Sequence, residues 1–268
     1  MAATKNQAIG TVCIVVPTYN EAENIRPLLN TIFSHHDTKD APLHVLVVDD
    51  NSPDGTAKVV KEYCENNKNV HLLLRKTKDG LGAAYIAGMQ HAMRLLDPDI
   101  IVEMDADLSH NPADVYKMLA KIRNGADFVI GSRYVKGGEI PDDWGARRKI
   151  ISTLANIMTR TLLGTYKVRD CSGGYRAMRT SYLKQIDLSR LSVKGYAFQA
   201  VLLEAYIYEG AVIEETPIAF SDRNKGQSKM RMKDVIEGFT ALSAIRLQRL
   251  MNKNPHANKK VDSTPSSN

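Results

Sequence analysis

The sequence has 268 residues, 43% hydrophobic and 25% charged, which is ordinary for a globular chain and long enough for one large α/β core with an appendage. Its three cysteines (Cys13, Cys64, Cys171) are scattered without CxxC spacing, which argues against a disulfide framework or a zinc site, and no run approaches the roughly 18–20 apolar residues of a membrane span. The formal net charge of +6 sits at the C-terminal end: residues 222–268 hold ten Lys and Arg against four acids, and the rest of the chain balances. A basic segment of this kind suits nucleic acid, anionic lipid or a phosphorylated substrate. For the last ten residues a solvated tail is the simpler reading. The N-terminal stretch MAATKNQAIGTV lacks an apolar h-region, so no secretory leader is expected and the protein is expected to face the cytosol.

Short apolar runs alternate with amphipathic stretches over the first half of the chain. Strands are expected at Val12–Val16, Leu43–Val48, Val70–Leu74, Ile100–Met104 and Phe128–Ile130. Helices are expected between them, at about Glu21–Ser34, Thr56–Asn66, Gly82–Leu96 and Pro112–Asn124. Asn20 followed by Glu23 resembles a capping box, and Pro112 suits a first helical turn. β-Branched strands alternating with helices predict a Rossmann-like, mostly parallel sheet with helices on both faces. Further on, Trp144–Gly164 has a basic start and a helical period, Gly173–Arg176 looks like a turn entering a strand, and Phe198–Tyr208 reads as a helix. Val212–Glu215 and Ile218–Phe220 read as short strands, Asp222–Met232 as a basic Gly/Ser loop, and Lys233–Met251 as an amphipathic helix. The expected organisation is a tail at 1–10, one domain at 11–232, the helix at 233–252 and a disordered polar tail at 253–268.

In a parallel sheet, ligands bind beyond the carboxyl ends of the strands, and here those loops are rich in chemistry. They read PTYNE at 17–21, DDNSPDGT at 49–56, DADLS at 105–109 and GSRY at 131–134. The sharpest signal is Asp105-Ala106-Asp107, two carboxylates leaving an apolar strand, whose oxygens suit a hard divalent cation that neutralises a diphosphate. Asp50 is expected to hydrogen-bond a nucleotide, while Asp49 serves equally well in an Asx turn that caps the helix at Thr56. Glu21 also suits a first helical turn. Arg133, Arg223 and Lys229 are candidate phosphate ligands bracketing the acidic motifs, and Arg147, Arg148 and Ser152 can do the same for a second phosphate. Gly82 belongs to no phosphate-binding Walker loop; close helix packing or backbone approach is its expected role.

The ordered set VVPTYNE, VVDDNSPDGT, GLGAAYIAGM, MDADLSHNP, GSRYVKGG, RRKIISTLAN, DCSGGYRAM and DRNKGQSKM resembles the family-2 glycosyltransferases of the GT-A fold, and within them the dolichyl-phosphate mannosyltransferase catalytic subunits. The likeness spans Val12 to Leu250, and no single motif bears it alone. It implies inverting transfer of mannose from GDP-mannose to dolichyl phosphate with Mg²⁺ or Mn²⁺, giving dolichyl phosphate mannose for glycan, GPI-anchor and O-mannose assembly. Carried over by position, Pro17, Tyr19, Glu21, Val48 and Asp50 would line the guanosine, Asp105 and Ala106 would contact the nucleotide, and Asp107 would bind metal and diphosphate. Asp105 and Ser109 complete the implied metal set, Ser109 through water because relatives carry a longer Gln there. Arg133, Arg223 and Lys229 would take phosphates, with Asp107, Arg133 and Arg223 the groups at the chemistry, and Arg148 and Ser152 would receive the acceptor phosphate. The resemblance further implies small membrane-anchoring subunits, no nucleic-acid partner, and peripheral residence at the membrane surface, on the cytosolic face of the endoplasmic reticulum.

A phosphate monoester is already anionic near neutrality, so the expected mechanism needs positioning and charge neutralisation rather than a strong base. A lipid acceptor would give Trp144–Leu163 and Lys233–Met251 a place at a bilayer surface; packing on the sheet is the alternative for both. Two rival functions follow: a glucosyltransferase of the same fold using UDP-glucose, and a catalytically silent nucleotide-binding subunit. A dehydrogenase is excluded because PTYNE, with no glycine-rich loop, follows the first strand.

Overall fold

The computed structural model describes residues 8–36, 41–141, 144–191, 197–220, 239–247 and 251. Strands β1 (Val12–Thr18), β2 (Leu43–Asp49), β3 (Val70–Leu74), β4 (Ile100–Glu103), β5 (Phe128–Ser132), β6 (Arg176–Arg179) and β7 (Ile213–Pro217) form one sheet. The order is β3-β2-β1-β4-β6-β5-β7. Every pairing is parallel except those of β6, which runs antiparallel to both β4 and β5. The expected mostly parallel sheet is therefore present, with seven strands. The two short strands expected near 212–220 are one strand, β7, followed by an isolated bridge between Glu139 and Ala219.

The helices are α1 (Ala22–Ser34), α2 (Thr56–Asn66), α3 (Leu81–Leu95), α4 (Asp114–Arg123), α5 (Ala146–Leu163), the one-turn α6 (Thr180–Leu183) and α7 (Ala197–Tyr208). Alternate residues of each strand serve two separate cores. Val12, Ile14 and Val16 meet Ile25, Leu28 and Leu29 of α1 and Met118 and Ile122 of α4. Cys13 and Val15 face Ala84, Tyr85 and Met89 of α3 and the apolar α7. Two glycines set how closely α3 approaches. A Cβ at Gly88 would lie 2.5 Å from Val15 and 2.8 Å from Val48, and one at Gly82 would lie 2.9 Å from Phe198. Close packing is thus the role of Gly82.

The capping box expected at Asn20 and Glu23 is not formed. Asn20 sits at φ 62°, a left-handed conformation that Asn tolerates, and the N-cap is Glu21. The backbone amides leading into α1 are satisfied from the neighbouring loop instead: Asn20, Glu21 and Ala22 donate their N–H groups to Ser52 Oγ, Thr56 Oγ1 and Asp54 Oδ2. Hydrogen bonding of this kind across loops has no signature in a local sequence window.

Helix α5 is oriented unusually. Its inner side carries Ser152, buried Asn156 and buried Thr159, whereas Ile150, Leu154 and Ile157 are 58%, 59% and 50% exposed. The expected amphipathic pattern is present, but these three apolar side chains face outward, whereas Leu163 at the C-terminal end of the helix is buried in the α3–α7 core with Leu162 packed against it. Of the helix expected at Lys233–Met251, residues 239–247 are helical; Leu242 is buried in the α3–α7 core and Ile245 packs against it. Arg223, Lys229 and the loop Asp222–Met232 lie outside the described residues, as do Lys233 and Arg249.

Candidate active site

From β1 the chain proceeds to β2 and β3 on one side, and β4 lies on the other. This reversal opens a crevice at the carboxyl ends of β1 and β4, where a doubly wound sheet takes its ligands. Pro17 lies at the end of β1 with Tyr19 and Glu21 just after it, Val48 lies at the end of β2 with Asp50 just after it, and Asp105, Ala106 and Asp107 follow β4. The fold therefore gathers this part of the predicted set along one edge.

At the β2 end the two aspartates have different roles. Asp49 is fully buried and accepts from Thr18 Oγ1 at 2.9 Å, Ser52 Oγ at 2.6 Å and Ser52 N–H at 2.9 Å. It builds the turn. Asp50 accepts from Arg75 Nη1 at 2.6 Å in an ion pair that is almost completely buried. Burial raises the Asp50 carboxyl above its ordinary range, with Arg75 opposing and the neighbouring Asp49 and Asp79 adding to the rise. Tyr19 presents its ring at the surface with Lys78 Nζ 3.4 Å from the ring centroid. Arg75 and Lys78, both from the loop after β3, were absent from the predicted site because charged loop residues are common and their partners lie far away in sequence. The Val48 side chain is directed into the core against α3, and the Ala106 side chain packs in the α1–α4 core. Contact of either residue with a nucleotide is therefore confined to the backbone.

The loop after β4 is tightly braced. Asp107 Oδ1 accepts from Ser109 N–H at 3.1 Å and from Ser109 Oγ at 2.6 Å. Ser109, expected as a metal ligand, thus directs its hydroxyl proton at Asp107 and orients that carboxylate. Asp105 N–H donates to His110 Nδ1 at 3.1 Å, and the His110 ring stacks on Tyr175 at 4.5 Å. Tyr85 O–H donates to Asp105 Oδ1 at 3.0 Å. Between these contacts Leu108 adopts φ 64°, a left-handed conformation costing about 1–2 kcal/mol for a residue with a side chain. The surrounding hydrogen bonds hold it there. Two carboxylates offering hard oxygens fit Mg²⁺ or Mn²⁺, whose remaining positions substrate phosphates and water would fill. Among the described residues no group of three or more His, Cys, Asp or Glu forms a protein-only cage.

On the far side of the sheet's edge, Arg133 follows β5. Its Nε and Nη2 donate to Asp170 at 2.8 and 2.9 Å, and Nη2 also reaches Ser172 Oγ at 3.1 Å. The fork expected to grip a substrate phosphate is therefore already placed on Asp170. Burial would raise the Asp170 carboxyl, but the Arg133 guanidinium and its hydrogen bonds hold it below the usual range. Asp170 lies in the DCSGG segment, which is held by the fully buried Arg176: Nε, Nη1 and Nη2 donate to the carbonyls of Gly173, Gln199 and Cys171. Facing Arg176 across the β4–β6 pair is Glu103, whose carboxyl burial pushes up to about 8 against the opposing pull of Arg176. On α5, Ser152 Oγ accepts from Tyr134 O–H at 2.7 Å, and the Arg148 guanidinium lies 3.7 Å from the centroid of the Trp144 ring. Asn156 accepts from Cys171 N–H, joining α5 to the same loop.

The Glycosyl transferase family 2 model matches residues 13–187. The chain is 42% identical over 227 residues to the polyprenol monophosphomannose synthase of Mycolicibacterium smegmatis, covering 84% of this chain and 83% of that protein. It is 42% identical to the undecaprenyl-phosphate mannosyltransferase of Micrococcus luteus, covering 82% and 87%. Against the dolichol-phosphate mannosyltransferase of Pyrococcus furiosus it is 34% identical, covering 84% of this chain and 61% of that longer protein. Among solved structures, the glucosyl-3-phosphoglycerate synthase of Mycobacterium tuberculosis, in complex with Mn²⁺, UDP and phosphoglyceric acid, superposes with a TM-score of 0.62 at 17% identity, covering 91% and 80% of the two chains. The same enzyme is also known with Mg²⁺ and UDP. That likeness establishes the fold. The matched family model and the two 42% relatives together establish that the chain belongs to glycosyl transferase family 2, in its polyprenyl-phosphate mannosyltransferase branch.

Proposed function

We propose that the protein transfers mannose from GDP-mannose to a polyprenyl phosphate, with dolichyl phosphate as the acceptor and inversion at the sugar carbon. The observation that carries this reading is the pairing of carboxylates at the β1–β4 switch point with α5, whose inner face holds Ser152, bonded to Tyr134 just after β5, and whose outer face exposes Ile150, Leu154 and Ile157. A soluble acceptor gives no reason for the second feature; a polyisoprenoid chain does. The two 42% relatives, whose names specify mannose and a polyprenyl or undecaprenyl phosphate, support the sugar and the acceptor class.

In this reading Tyr19, Glu21 and Asp50 line the nucleoside, with Pro17, Val48 and Ala106 contributing backbone. Asp105 and Asp107 would hold a divalent cation, and when bound it would supply charge neutralisation for the diphosphate leaving group. Ser109, bonded to Asp107, orients it. Arg133 supplies fixed positive charge beside the phosphates, with Arg223 and Lys229 as further phosphate ligands. Arg148 and Ser152 receive the acceptor phosphate. One of its oxygens attacks the anomeric carbon from the face opposite the diphosphate; the new C–O bond forms as the bond to the diphosphate breaks, and GDP departs with the electron pair. The acceptor is already anionic, so no side chain is required to remove a proton. Peripheral residence at the cytosolic face of the endoplasmic reticulum, with small anchoring subunits, completes the proposal. No helix among the described residues is long and apolar enough to cross a membrane.

The test is transfer of radiolabelled sugar from GDP-mannose or UDP-glucose to dolichyl phosphate or undecaprenyl phosphate, with and without EDTA. EDTA-sensitive mannosylation with dolichyl phosphate preferred is expected. Preference for UDP-glucose would overturn the donor, and preference for undecaprenyl phosphate the acceptor. Absence of transfer with every pair would overturn the reading itself.

A further inference from the structure

Asp105 is held by a helix from the opposite side of the sheet. Tyr85, on α3, is fully buried, and its hydroxyl is 3.0 Å from Asp105 Oδ1. The ring is fixed in place. It lies parallel to Phe198 of α7, with centroids 6.2 Å apart and planes 6° apart. One turn earlier on α3, Gly82 approaches Phe198 so closely that a Cβ there would be 2.9 Å from it. The packing of α3 on α7 therefore determines where the phenol oxygen sits, and a wholly buried phenol has little freedom to turn its proton elsewhere. Asp105 is held independently through its backbone by His110. Gly174 lies on another side of the carboxylate, where a Cβ would be 4.0 Å from Asp105 Oδ1. The side chain is thus oriented by a neutral donor on a buried tyrosine before any ligand binds.

We infer that Tyr85 is a positioning residue for the divalent-cation and diphosphate site: its hydroxyl fixes the rotamer of Asp105 so that the carboxylate meets its ligand already aligned. This rests on the reading of Asp105 and Asp107 given above. Outer partners of metal-binding carboxylates are commonly worth 10–100-fold in affinity. Tyr85→Phe removes the hydroxyl while keeping the ring on Phe198, and Phe198→Leu loosens the packing while keeping the hydroxyl.

The experiment is titration of the full chain with Mn²⁺ in the presence of GDP, followed by electron paramagnetic resonance of free Mn²⁺, with melting recorded in metal-free buffer. Tyr85→Phe is expected to raise the Mn²⁺ Kd about tenfold or more. Phe198→Leu is expected to raise it less than about threefold even at an equal or greater loss of melting temperature, because it retains the donor that orients the carboxylate. A Tyr85→Phe protein that binds Mn²⁺ as tightly as wild type overturns the inference. So does an equal loss of affinity in the two variants, which would assign the effect to packing. A wild-type protein that binds no Mn²⁺ with GDP would instead overturn the metal-site reading, so the two failures are distinguishable.

Discussion

At the scale of single residues, the acidic loop and the Arg133 anchor make separate demands. Asp107 lies on a loop braced by Ser109, so replacing its charge leaves the turn intact. Asp107→Asn is expected to lower transfer by several kcal/mol of barrier, a loss of about 10²-fold or more, with melting changed by only a few degrees. Near-wild-type turnover in saturating Mg²⁺ would remove Asp107 from the site. Asp170 behaves differently because it is fully buried against Arg133. Asp170→Ala strands a largely buried guanidinium and is expected to destabilise the fold by about 3–5 kcal/mol. Chemical denaturation measures this directly; a cost under about 1 kcal/mol would mean that Arg133 finds another partner at once.

Among elements, α5 and the β2–β3 pair carry the clearest consequences. The outward stripe of α5 suits a bilayer surface, and Ile150→Glu with Leu154→Glu is expected to reduce flotation with anionic liposomes severalfold. Binding of GDP and Mn²⁺ should be unchanged, since both side chains face away from the crevice. Unaltered flotation would assign the stripe to another partner. On β2 and β3, His44 Nδ1 and His71 Nε2 lie 3.2 Å apart. Burial lowers both side chains below the ordinary value of 6.5, and in His71 the neighbouring His44 and His91 add to the fall. The folded protein then binds fewer protons than the unfolded chain around and below pH 6.5, so stability is full above that pH and is lost as pH falls through the folded values. Melting at pH 7.5 and 5.5 should show a drop that is smaller in His71→Leu. An equal drop in both proteins would place the pH dependence elsewhere.

For the whole molecule, the relevant quantity is where charge lies. The excess of +6 belongs to residues 222–268, the same region that contains the helical segment 239–247. Each cation near an anionic surface contributes about 1 kcal/mol, and salt screens it over about 8–10 Å. The purified chain is expected to associate with anionic liposomes reversibly, losing most of that binding between low and high salt. Arg246→Glu should weaken it. Arg246 also lies against Gly164 at the end of α5, so melting must be followed alongside. Binding that resists salt would mean deep insertion of apolar side chains and would remove the need for anchoring subunits.

The sequence by itself determined the strand–helix alternation, the mostly parallel sheet and the loops that carry PTYNE, DDNSPDGT and DADLS. Those features are encoded locally, by periodicity, β-branched runs and the residue types at strand ends. The family was legible for the same reason, since its motifs are contiguous. Tertiary structure alone decided the partners. Tyr85 bonds to Asp105 across 20 positions, Arg75 to Asp50 across 25, and Arg133 to Asp170 across 37. It also decided that Ser52, Thr56 and Asp54 cap α1 in place of a local capping box, and that Ile150, Leu154 and Ile157 of α5 face outward. A helical period identifies an apolar face but not what lies opposite it. A charged residue reveals its valence but not whether a ligand or a buried carboxylate meets it, because that depends on which distant segments the sheet brings together.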